Sequence, residues 1–295
     1  MPAPLHAALT ALAGKVERTT ALDAPASAIG SAVRKVVGTG AFKDLLSGTW
    51  LGHPLHPLLT DTVIGTWTSA LLLDLLGGEG SRRAADRLVL AGAIAYPPTA
   101  LTGNSDWADS MADHGAQRVG LVHAGVNAVA LSLQLASLAA RRSDQRPRAV
   151  GLSIAANSVL GVGGWLGGHM SYKQGVGVDQ TTFDPGPEEW TSAGPSSAVV
   201  DGTPVSVDVE GTPVLVVRSG AELWAIHDRC CHRGFALSEN HELDGDTITC
   251  TAHGSCFSFR DGSLQQGPAV YDQPSYDVRE RAGQLEVRLV AALRT

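Results

Sequence analysis

Apolar positions divide the chain into two parts with different periodicity. Between residues 55 and 170, four segments carry few charges and are separated by short polar connections; they are Leu55–Leu76, Leu88–Thr102, Val119–Ala140 and Val150–Met170. A helix needs about 20 predominantly apolar residues to span a bilayer, and segments one, three and four reach that length. The second is short and contains Pro97 and Pro98, so we expect it to begin before Arg87 or to be kinked.

These segments favour a transmembrane bundle of four helices over residues 51–170, with a soluble helical bundle as the alternative. The third and fourth segments contain no Lys, Arg, Asp or Glu. Glycines recur on the fourth segment, at Gly161, Gly164, Gly167 and Gly168. Small residues let helices approach closely in lipid, whereas in a soluble helix each glycine costs about 1 kcal/mol relative to alanine. The glycines therefore support the membrane interpretation.

Beyond residue 198 the periodicity changes to two. Val205, Val207 and Val209 alternate with polar residues, and further short runs follow at 214–217, 223–226, 247–249 and 285–289. Turns that contain glycine separate these runs, which predicts a small antiparallel all-β domain over residues 198–295.

The two remaining stretches connect or precede these domains. Residues 171–197 are rich in Gly, Pro, Ser and acidic residues, which predicts a flexible linker. Residues 1–50 are predicted to form an amphipathic arm, either cytosolic or exoplasmic. The predicted fold class is therefore α+β and multidomain, with an N-terminal four-helix transmembrane bundle and a small C-terminal antiparallel all-β domain.

Charge and cysteine content narrow the classes of function. The formal net charge is −7, which argues against nucleic acid as a partner because such proteins need a basic surface. The four cysteines all lie between residues 230 and 256 and are interleaved with histidines. That arrangement is typical of a metal site rather than of a disulfide framework.

Two short motifs carry the candidate chemistry. Cys230 and His232 form a C-x-H pair, and Cys250 and His253 form a C-x-x-H pair seventeen residues further on. One zinc ion could use two thiolates and two imidazoles, although finger-type zinc sites usually pair Cys with Cys and His with His. The observed order suits two irons, one with two thiolates and the other with two imidazoles. A [2Fe–2S] cluster is therefore favoured, and zinc remains the alternative.

At these residues the sequence resembles the Rieske family, specifically its ferredoxin-like branch. The resemblance covers about residues 198–290 and includes VLVVRSGAELWAIHDRCCHRG, CTAHGSCFSFRDGS and the QGPA at Gln266–Ala269. It implies three stacked antiparallel sheets, a cluster held by Cys230, His232, Cys250 and His253, and histidine edges near solvent.

Departures from the family pattern bear on the reduction potential. The disulfide that joins the cluster loops in respiratory members would fall at Phe235 and Ala252, so it is absent. Ser255 keeps the serine that donates to a cluster sulfide in high-potential members, but their tyrosine donor is Phe257 here. Hydrogen bonds to the sulfurs stabilise the reduced state. We therefore predict a potential between the low ferredoxin-like and the high respiratory group.

The other two cysteines have no assigned partner in the sequence. Cys231 and Cys256 are expected to be free thiols or to make another, unassigned contact.

Several histidines would share one side of a four-span bundle. His53 and His56 lie at the start of the first span, His114 and His123 near the start of the third, and His169 at the end of the fourth. One interpretation is that they cap helices at the headgroup region. The other is a second site for haem, metal or quinone, built from His53, His56, His123 and His169, because ionisable groups in spans are candidates for function. The stretches LGHPLHP and GGWLGGHMSYKQGVGVD resemble an uncharacterised family of small bacterial four-helix membrane domains.

The distribution of basic residues predicts an orientation. Arginines occur in the first connection and in the third, at Arg82, Arg83, Arg87, Arg141, Arg142, Arg146 and Arg148. Basic loops prefer the cytoplasm, which would place the β domain on the exoplasmic side of the cell membrane. The basic residues of the N-terminal arm argue in the opposite direction.

The leading function is a membrane-anchored one-electron transfer protein that uses a Rieske [2Fe–2S] cluster. Its expected partners are the lipid bilayer and a redox partner protein, a quinone or a b-type haem, and a homo-oligomer is compatible with the pattern. The alternatives are a ferredoxin-type supplier of electrons to a separate oxygenase, or a membrane redox sensor. No phosphate loop, Ser/His/Asp arrangement or carboxylate pair stands out, so no catalytic residue is predicted.

Overall fold

A computed structural model describes residues 4–290 and divides them into two compact units. The helical unit contains the chain up to Val37 together with Leu55–Val176. The β unit contains Gly38–Pro54 together with the chain from Gly177 onwards. Residues 1–3 of the predicted arm and 291–295 of the predicted β domain lie outside the described residues.

Seven α-helices lie in the described residues. They are α1 (Pro4–Glu17), α2 (Asp23–Val37), α3 (Ala41–Ser47), α4 (Leu55–Leu76), α5 (Arg82–Ala108), α6 (His114–Arg142) and α7 (Arg146–Tyr172). Helix α4 has the bounds of the first predicted segment. Helix α5 begins at Arg82 and continues through Pro97 and Pro98, so the second segment does begin before Arg87.

The prediction of four membrane-spanning helices is not reproduced in that form. The part of the chain described here has six α-helices in the helical unit, because the predicted arm itself forms α1 and α2. By length and apolar composition, two described helices could cross a membrane, α6 and α7. Helix α4 carries Asp61 and Asp74, and α5 carries charges in its first two turns and two prolines, which lowers their mean hydropathy.

The β unit contains ten strands in two antiparallel sheets. They are β1 (Thr191–Pro195), β2 (Val205–Val209), β3 (Thr212–Ser219), β4 (Glu222–His227), β5 (His241–Asp244), β6 (Thr247–Cys250), β7 (Cys256–Ser258), β8 (Leu264–Gln266), β9 (Ser275–Arg281) and β10 (Gln284–Leu289). The larger sheet has the order β1-β10-β9-β4-β3-β2, and the smaller has the order β5-β6-β7-β8. The three sheets that the family resemblance implies are therefore two within the described residues.

Strand β3 shows how one sheet serves two cores. Because side chains alternate across a strand, Val214 and Val216 pack with Leu285 in one core. Leu215 and Val217 point to the opposite face and join the core that contains both candidate cluster cysteines. The large sheet thus supports the cluster loops on one face and closes its own core on the other.

The stretch predicted as a linker over 171–197 is largely ordered. Helix α7 extends to Tyr172, and β1 occupies Thr191–Pro195 and pairs with β10. Between them, backbone groups bond to the β unit, as in the bond from the Gln180 N–H to the Cys231 carbonyl at 3.0 Å. The amino-acid composition did not predict this order. A segment rich in Gly and Pro has no apolar periodicity, yet its backbone groups can still form hydrogen bonds with the rest of the fold.

Candidate metal centre

Two loops with the same backbone turn present the candidate ligands. The Cys230 N–H donates to the Phe235 carbonyl at 2.8 Å, and the Gly234 N–H donates to the Cys230 carbonyl at 2.8 Å. The second loop repeats both bonds four and five residues after its own cysteine, from Gly254 to Cys250 and from Cys250 to Ser255, each at 2.8 Å. Gly234 and Gly254 have φ of +75° and +93°, which glycine adopts at little cost. Because the two turns are alike, they place the side chains of the C-x-H and C-x-x-H motifs next to each other.

The two loops place their thiols inside and their imidazoles near the surface. Cys230 and Cys250 are buried, and their sulfurs share a hydrogen bond. That bond raises the pKa of the Cys230 thiol, which donates, and lowers the pKa of Cys250, which accepts. The imidazoles of His232 and His253 are half-buried and meet edge to face, with ring centroids 5.1 Å apart. Phe235 packs against His253 with ring centroids 5.4 Å apart.

This donor set fits a two-iron cluster better than one metal ion. Each iron of a Rieske cluster takes only two protein ligands, one pair of thiolates or one pair of imidazoles. The structure groups the residues in that way, sulfur with sulfur and ring with ring. When bound, such a cluster supplies one-electron transfer.

Ser255 ends the turn of the second ligand loop and is bonded to a third loop, which carries Ala269. It is fully buried, and its Oγ accepts a hydrogen bond from the Ala269 N–H at 2.9 Å. A hydroxyl both accepts and donates, so the Ser255 proton remains for another acceptor. Phe257 is fully buried in β7 and carries no hydroxyl.

The first loop is braced by a residue that the sequence did not single out. Gln273 is fully buried, and its Oε1 accepts from the Cys231 N–H at 3.0 Å. Its Nε2 donates to the carbonyls of His227 and Arg229 at 2.8 and 2.6 Å. A single amide thus satisfies three backbone groups of the chain that leads into the loop. The sequence gives no local signal for it, because Gln273 lies more than forty residues away.

His227 and Asp228 fix the end of β4 ahead of the same loop. The Arg229 N–H donates to Nδ1 of His227 at 3.0 Å, and Nε2 lies 2.8 Å from the Asp184 carbonyl. This pattern needs the neutral imidazole, and burial lowers the pKa of His227. The Asp228 carboxylate accepts from the Ser238 N–H and hydroxyl, each at 2.7 Å.

The two additional cysteines differ in exposure. Cys231 is buried, and its Sγ lies 3.5 Å from the Tyr271 carbonyl. Burial raises the pKa of the Cys231 thiol. Cys256 is half-buried in β7. No disulfide joins any of the four cysteines, all of which lie in the described part of the chain.

The predicted histidine cluster separates into three environments. His53 belongs to the β unit, where its ring lies 5.8 Å from the ring of Tyr271. His169 lies in the helical unit, with Nε2 2.8 Å from a carboxylate oxygen of Glu17. That interaction lowers the pKa of Glu17. His53 therefore belongs to a different compact unit from His56, His123 and His169.

His56 and His123 occupy equivalent positions in the two helical hairpins α4–α5 and α6–α7. Nδ1 of His56 lies 3.0 Å from the Thr99 carbonyl, and Nδ1 of His123 lies 2.9 Å from the Gly163 carbonyl. Each imidazole thus bonds to the partner helix of its own hairpin.

Comparison with known proteins gives two family matches, which lie in different parts of the chain. Residues 189–277 match the Rieske [2Fe-2S] domain, and residues 52–180 match a predicted membrane protein family, DUF2231. The anthranilate 1,2-dioxygenase ferredoxin subunit of Burkholderia cepacia is 31% identical over 101 residues, which is 34% of this chain and 93% of that protein.

Oxygenase components and solved ferredoxins are also similar over the same part. The terminal oxygenase component of carbazole 1,9a-dioxygenase from a Sphingomonas species is 40% identical over 76 residues, 25% of this chain. The match spans only 20% of that protein's length. The solved ferredoxin of carbazole 1,9a-dioxygenase from Nocardioides aromaticivorans is 27% identical with a TM-score of 0.32, over 34% of this chain and 96% of that one.

The ligand loops, the antiparallel β unit and the extent of the ferredoxin match agree with one another. The chain therefore belongs to the Rieske [2Fe-2S] family through residues 189–277, which follow a DUF2231 predicted membrane protein domain over residues 52–180.

Proposed function

We propose that this chain is a membrane-anchored one-electron carrier whose [2Fe–2S] cluster is held by Cys230, His232, Cys250 and His253. The observation that carries the proposal is the pair of matched loops, which bury the two sulfurs together and leave both imidazoles half-exposed. The half-exposed rings offer a redox partner the shortest approach to the cluster. Ser255 donates to the cluster, and the lack of a second hydroxyl at Phe257 supports a potential between the two known groups of the family.

The surface of the helical unit supports a position within a bilayer. Large apolar side chains point outwards, as with Leu76 and Ile94, which are 80% and 67% exposed. Polar side chains point inwards: Gln134, Ser137 and Ser153 are buried between α6 and α7, where the two serine hydroxyls lie 2.9 Å apart. Exposed apolar side chains around buried polar ones suit helices surrounded by lipid. We propose that α4–α7 form the four spans.

A buried charge cluster marks one end of these four helices. Arg141 and Arg146 both contact Asp74 and Asp86, with the contacts to Asp86 at 2.7 and 2.5 Å. The ends of these helices also carry five of the seven exposed arginines of the helical unit, namely Arg82, Arg83, Arg87, Arg142 and Arg148. The positive-inside rule places this end in the cytoplasm and the β unit outside it.

The class of redox partner is inferred by analogy with the relatives. The match covers 93% of the anthranilate 1,2-dioxygenase ferredoxin subunit and 69% of the 3-phenylpropionate/cinnamic acid dioxygenase ferredoxin subunit of Escherichia coli. We propose a redox partner protein that docks at the His232–His253 edge, with a separate oxygenase as one candidate and a quinol or a membrane haem as the other.

A second candidate function is favoured by the equivalent placement of His56 and His123. Histidine ligands of metals usually donate their second ring nitrogen to a carbonyl, and both Nδ1 atoms lie beside one. Nε2 of His123 contacts the Asn127 amide at 3.1 Å, and Nε2 of His56 contacts the Thr60 hydroxyl at 3.5 Å. A b-type haem iron would take both Nε2 atoms as ligands and replace both contacts, whereas a quinol would donate a hydroxyl to one Nε2 and replace that contact.

Reduction of the cluster in membranes tests the main proposal. Vesicles that contain the full chain are supplied with quinol, or with a soluble ferredoxin reductase and its reductant, and the cluster is followed by EPR. A Rieske-type signal is expected in the wild type and is expected to be lost in Cys230→Ser, and the donor that reduces it distinguishes the two partner classes. A wild-type chain that binds iron without this signal would contradict the proposal.

Membrane anchoring and the second candidate need separate measurements. The chain is expected to stay in the membrane fraction after alkaline washing and to require detergent for release. The optical spectrum of the purified protein decides the haem: a Soret band that His56→Ala and His123→Ala abolish would support it. If the band is absent and quinol binding is unchanged in these variants, the second candidate is wrong.

A further inference from the structure

The residues between α2 and α4 belong to the β unit although they lie far from it in sequence. We name Gly38–Pro54 the strap; it contains α3 and is part of the compact β unit. It lies outside residues 189–277, which match the Rieske family. The strap is therefore an addition to the cluster-binding fold, and its contacts show what it adds.

The strap packs tightly on the loop between β8 and β9. A Cβ atom at Gly267 would lie 2.2 Å from Oγ1 of Thr49 and 2.7 Å from Oδ1 of Asp44. Such distances leave no room for a side chain, so glycine is required where the strap crosses the loop. Thr49 Oγ1 also donates to the Ala269 carbonyl at 3.0 Å.

A second contact reaches a ligand loop itself. A Cβ atom at Gly254 would lie 3.2 Å from the Cγ2 methyl of Thr39. Gly254 adjoins His253, and its N–H closes the turn on the Cys250 carbonyl. The strap thus contacts both the second ligand loop and the loop that carries Ala269.

A relay of two contacts connects the strap to Ser255. Thr49 donates to the carbonyl of Ala269 at 3.0 Å, and the Ala269 N–H donates to Ser255 Oγ at 2.9 Å. The first contact holds Ala269 in place, and the second orients the buried Ser255 hydroxyl, whose remaining proton would then be directed at a cluster sulfide. The relay therefore acts through the position of Ala269.

We propose that Thr49 of the strap is a positioning residue that raises the reduction potential of the cluster through Ala269 and Ser255. The inference rests on the proposed cluster ligands but on neither the redox partner nor the membrane orientation. Stronger donation to the sulfides stabilises the reduced cluster, which carries the additional negative charge. Loss of the Thr49 hydroxyl is therefore expected to lower the potential.

EPR-monitored redox titration of the purified full-length protein tests this proposal. Thr49→Val keeps the shape and removes the donor, so its midpoint should shift downwards, by less than that of Ser255→Ala. Thr49→Ser restores the hydroxyl and should return the midpoint towards the wild-type value. Thr39→Val is the matched control, since it keeps the methyl contact with Gly254 and should leave the midpoint unchanged.

A double variant separates the relay from a general effect on structure. If Thr49 acts through Ser255, Thr49→Val should cause no further shift in a Ser255→Ala background. An unchanged midpoint in Thr49→Val, or an equal shift in both backgrounds, would overturn the proposal.

If the Thr49→Val protein loses its cluster, the titration is repeated on Thr49→Ala, which also removes the hydroxyl and adds no bulk. Faster amide exchange at Ala269 in either variant gives a readout independent of the cluster. Exchange at the wild-type rate would count against the relay. A wild-type protein without a Rieske signal would instead refute the ligand assignment.

Discussion

Gln273 holds three backbone groups of the first ligand loop with one buried amide. Gln273→Leu would leave these groups without a partner, and each unsatisfied buried group costs about 1–3 kcal/mol. We expect a lower free energy of unfolding for the β unit and faster loss of the cluster. Urea denaturation of the full chain, with cluster absorbance as a second probe, measures both effects.

Gln265 offers a matched control for that substitution. It is an exposed glutamine in β8, eight residues earlier in the chain. Gln265→Leu should change neither the denaturation midpoint nor cluster retention. Equal effects of the two substitutions would mean that Gln273 does not brace the loop.

His227 predicts a pH dependence of stability. Burial holds its pKa in the folded state below the ordinary value of 6.5, so between these two pKa values the unfolded state binds more protons. The stability that the neutral imidazole contributes is present above about pH 6.5 and is lost as the pH falls through the folded-state pKa. The urea concentration at the midpoint of unfolding should therefore decrease as the pH is lowered across this range.

Two variants assign that pH dependence to the residue. His227→Gln cannot titrate and should flatten the curve in this window. His241→Gln, at a half-buried histidine of the same unit, should leave the curve as in the wild type. A His227→Gln curve as steep as the wild type would show that another group is responsible.

At the scale of the elements, close approach of helices depends on particular glycines. In the α4–α5 hairpin a Cβ atom at Gly92 would lie 2.3 Å from Nε1 of Trp67, whose N–H donates to the Val89 carbonyl at 3.2 Å. Gly92→Ala should displace the indole and destabilise the hairpin by about 1–3 kcal/mol, the usual cost of overpacking. Thermal unfolding in detergent measures this loss.

Gly65 of α4 is the control for helix propensity. A Cβ atom there would meet nothing within 4 Å. Gly65→Ala should be neutral or stabilise the helix by up to about 1 kcal/mol. If Gly92→Ala and Gly65→Ala both stabilise the protein, α4 does not pack closely on α5 at Gly92.

Sequence patterns predicted those elements whose cause is local. Helix α4 follows directly from its apolar run, and β2, β3 and β4 follow from runs of Val, Leu and Ile. Strand β1 (TSAGP) and strand β5 (HELD) have no apolar alternation, because they form by pairing with β10 and β6. Their strand conformation is imposed by partners distant in the sequence, so local pattern could not predict it.

The candidate site divides in the same way. The candidate cysteine and histidine ligands are recognisable in the sequence because their spacing is set within each loop. Gln273 and Thr49 bond to residues 42 and 220 positions away, so no local pattern indicates them. The surroundings of the predicted histidines also depend on residues distant in the sequence. His53 folds with the β unit, and His169 binds Glu17.

At the scale of the whole molecule, the strap constrains the path of the chain through the membrane. Gly38–Pro54 and the chain from Gly177 onwards pack into one compact unit, so both must lie in the same aqueous compartment. Each membrane crossing that leaves this compartment must therefore be matched by one that returns to it. Residues 55–176 can therefore cross the bilayer twice or four times, but not once or three times.

This parity rule is testable without knowledge of the redox chemistry. Reporter tags inserted at Gly52 and after residue 290 should become accessible to a membrane-impermeant reagent from the same side. Opposite accessibility would mean that the strap and the β unit do not fold together. The division of the chain also orders biosynthesis, because the strap is synthesised about 120 residues before the strands that complete its fold.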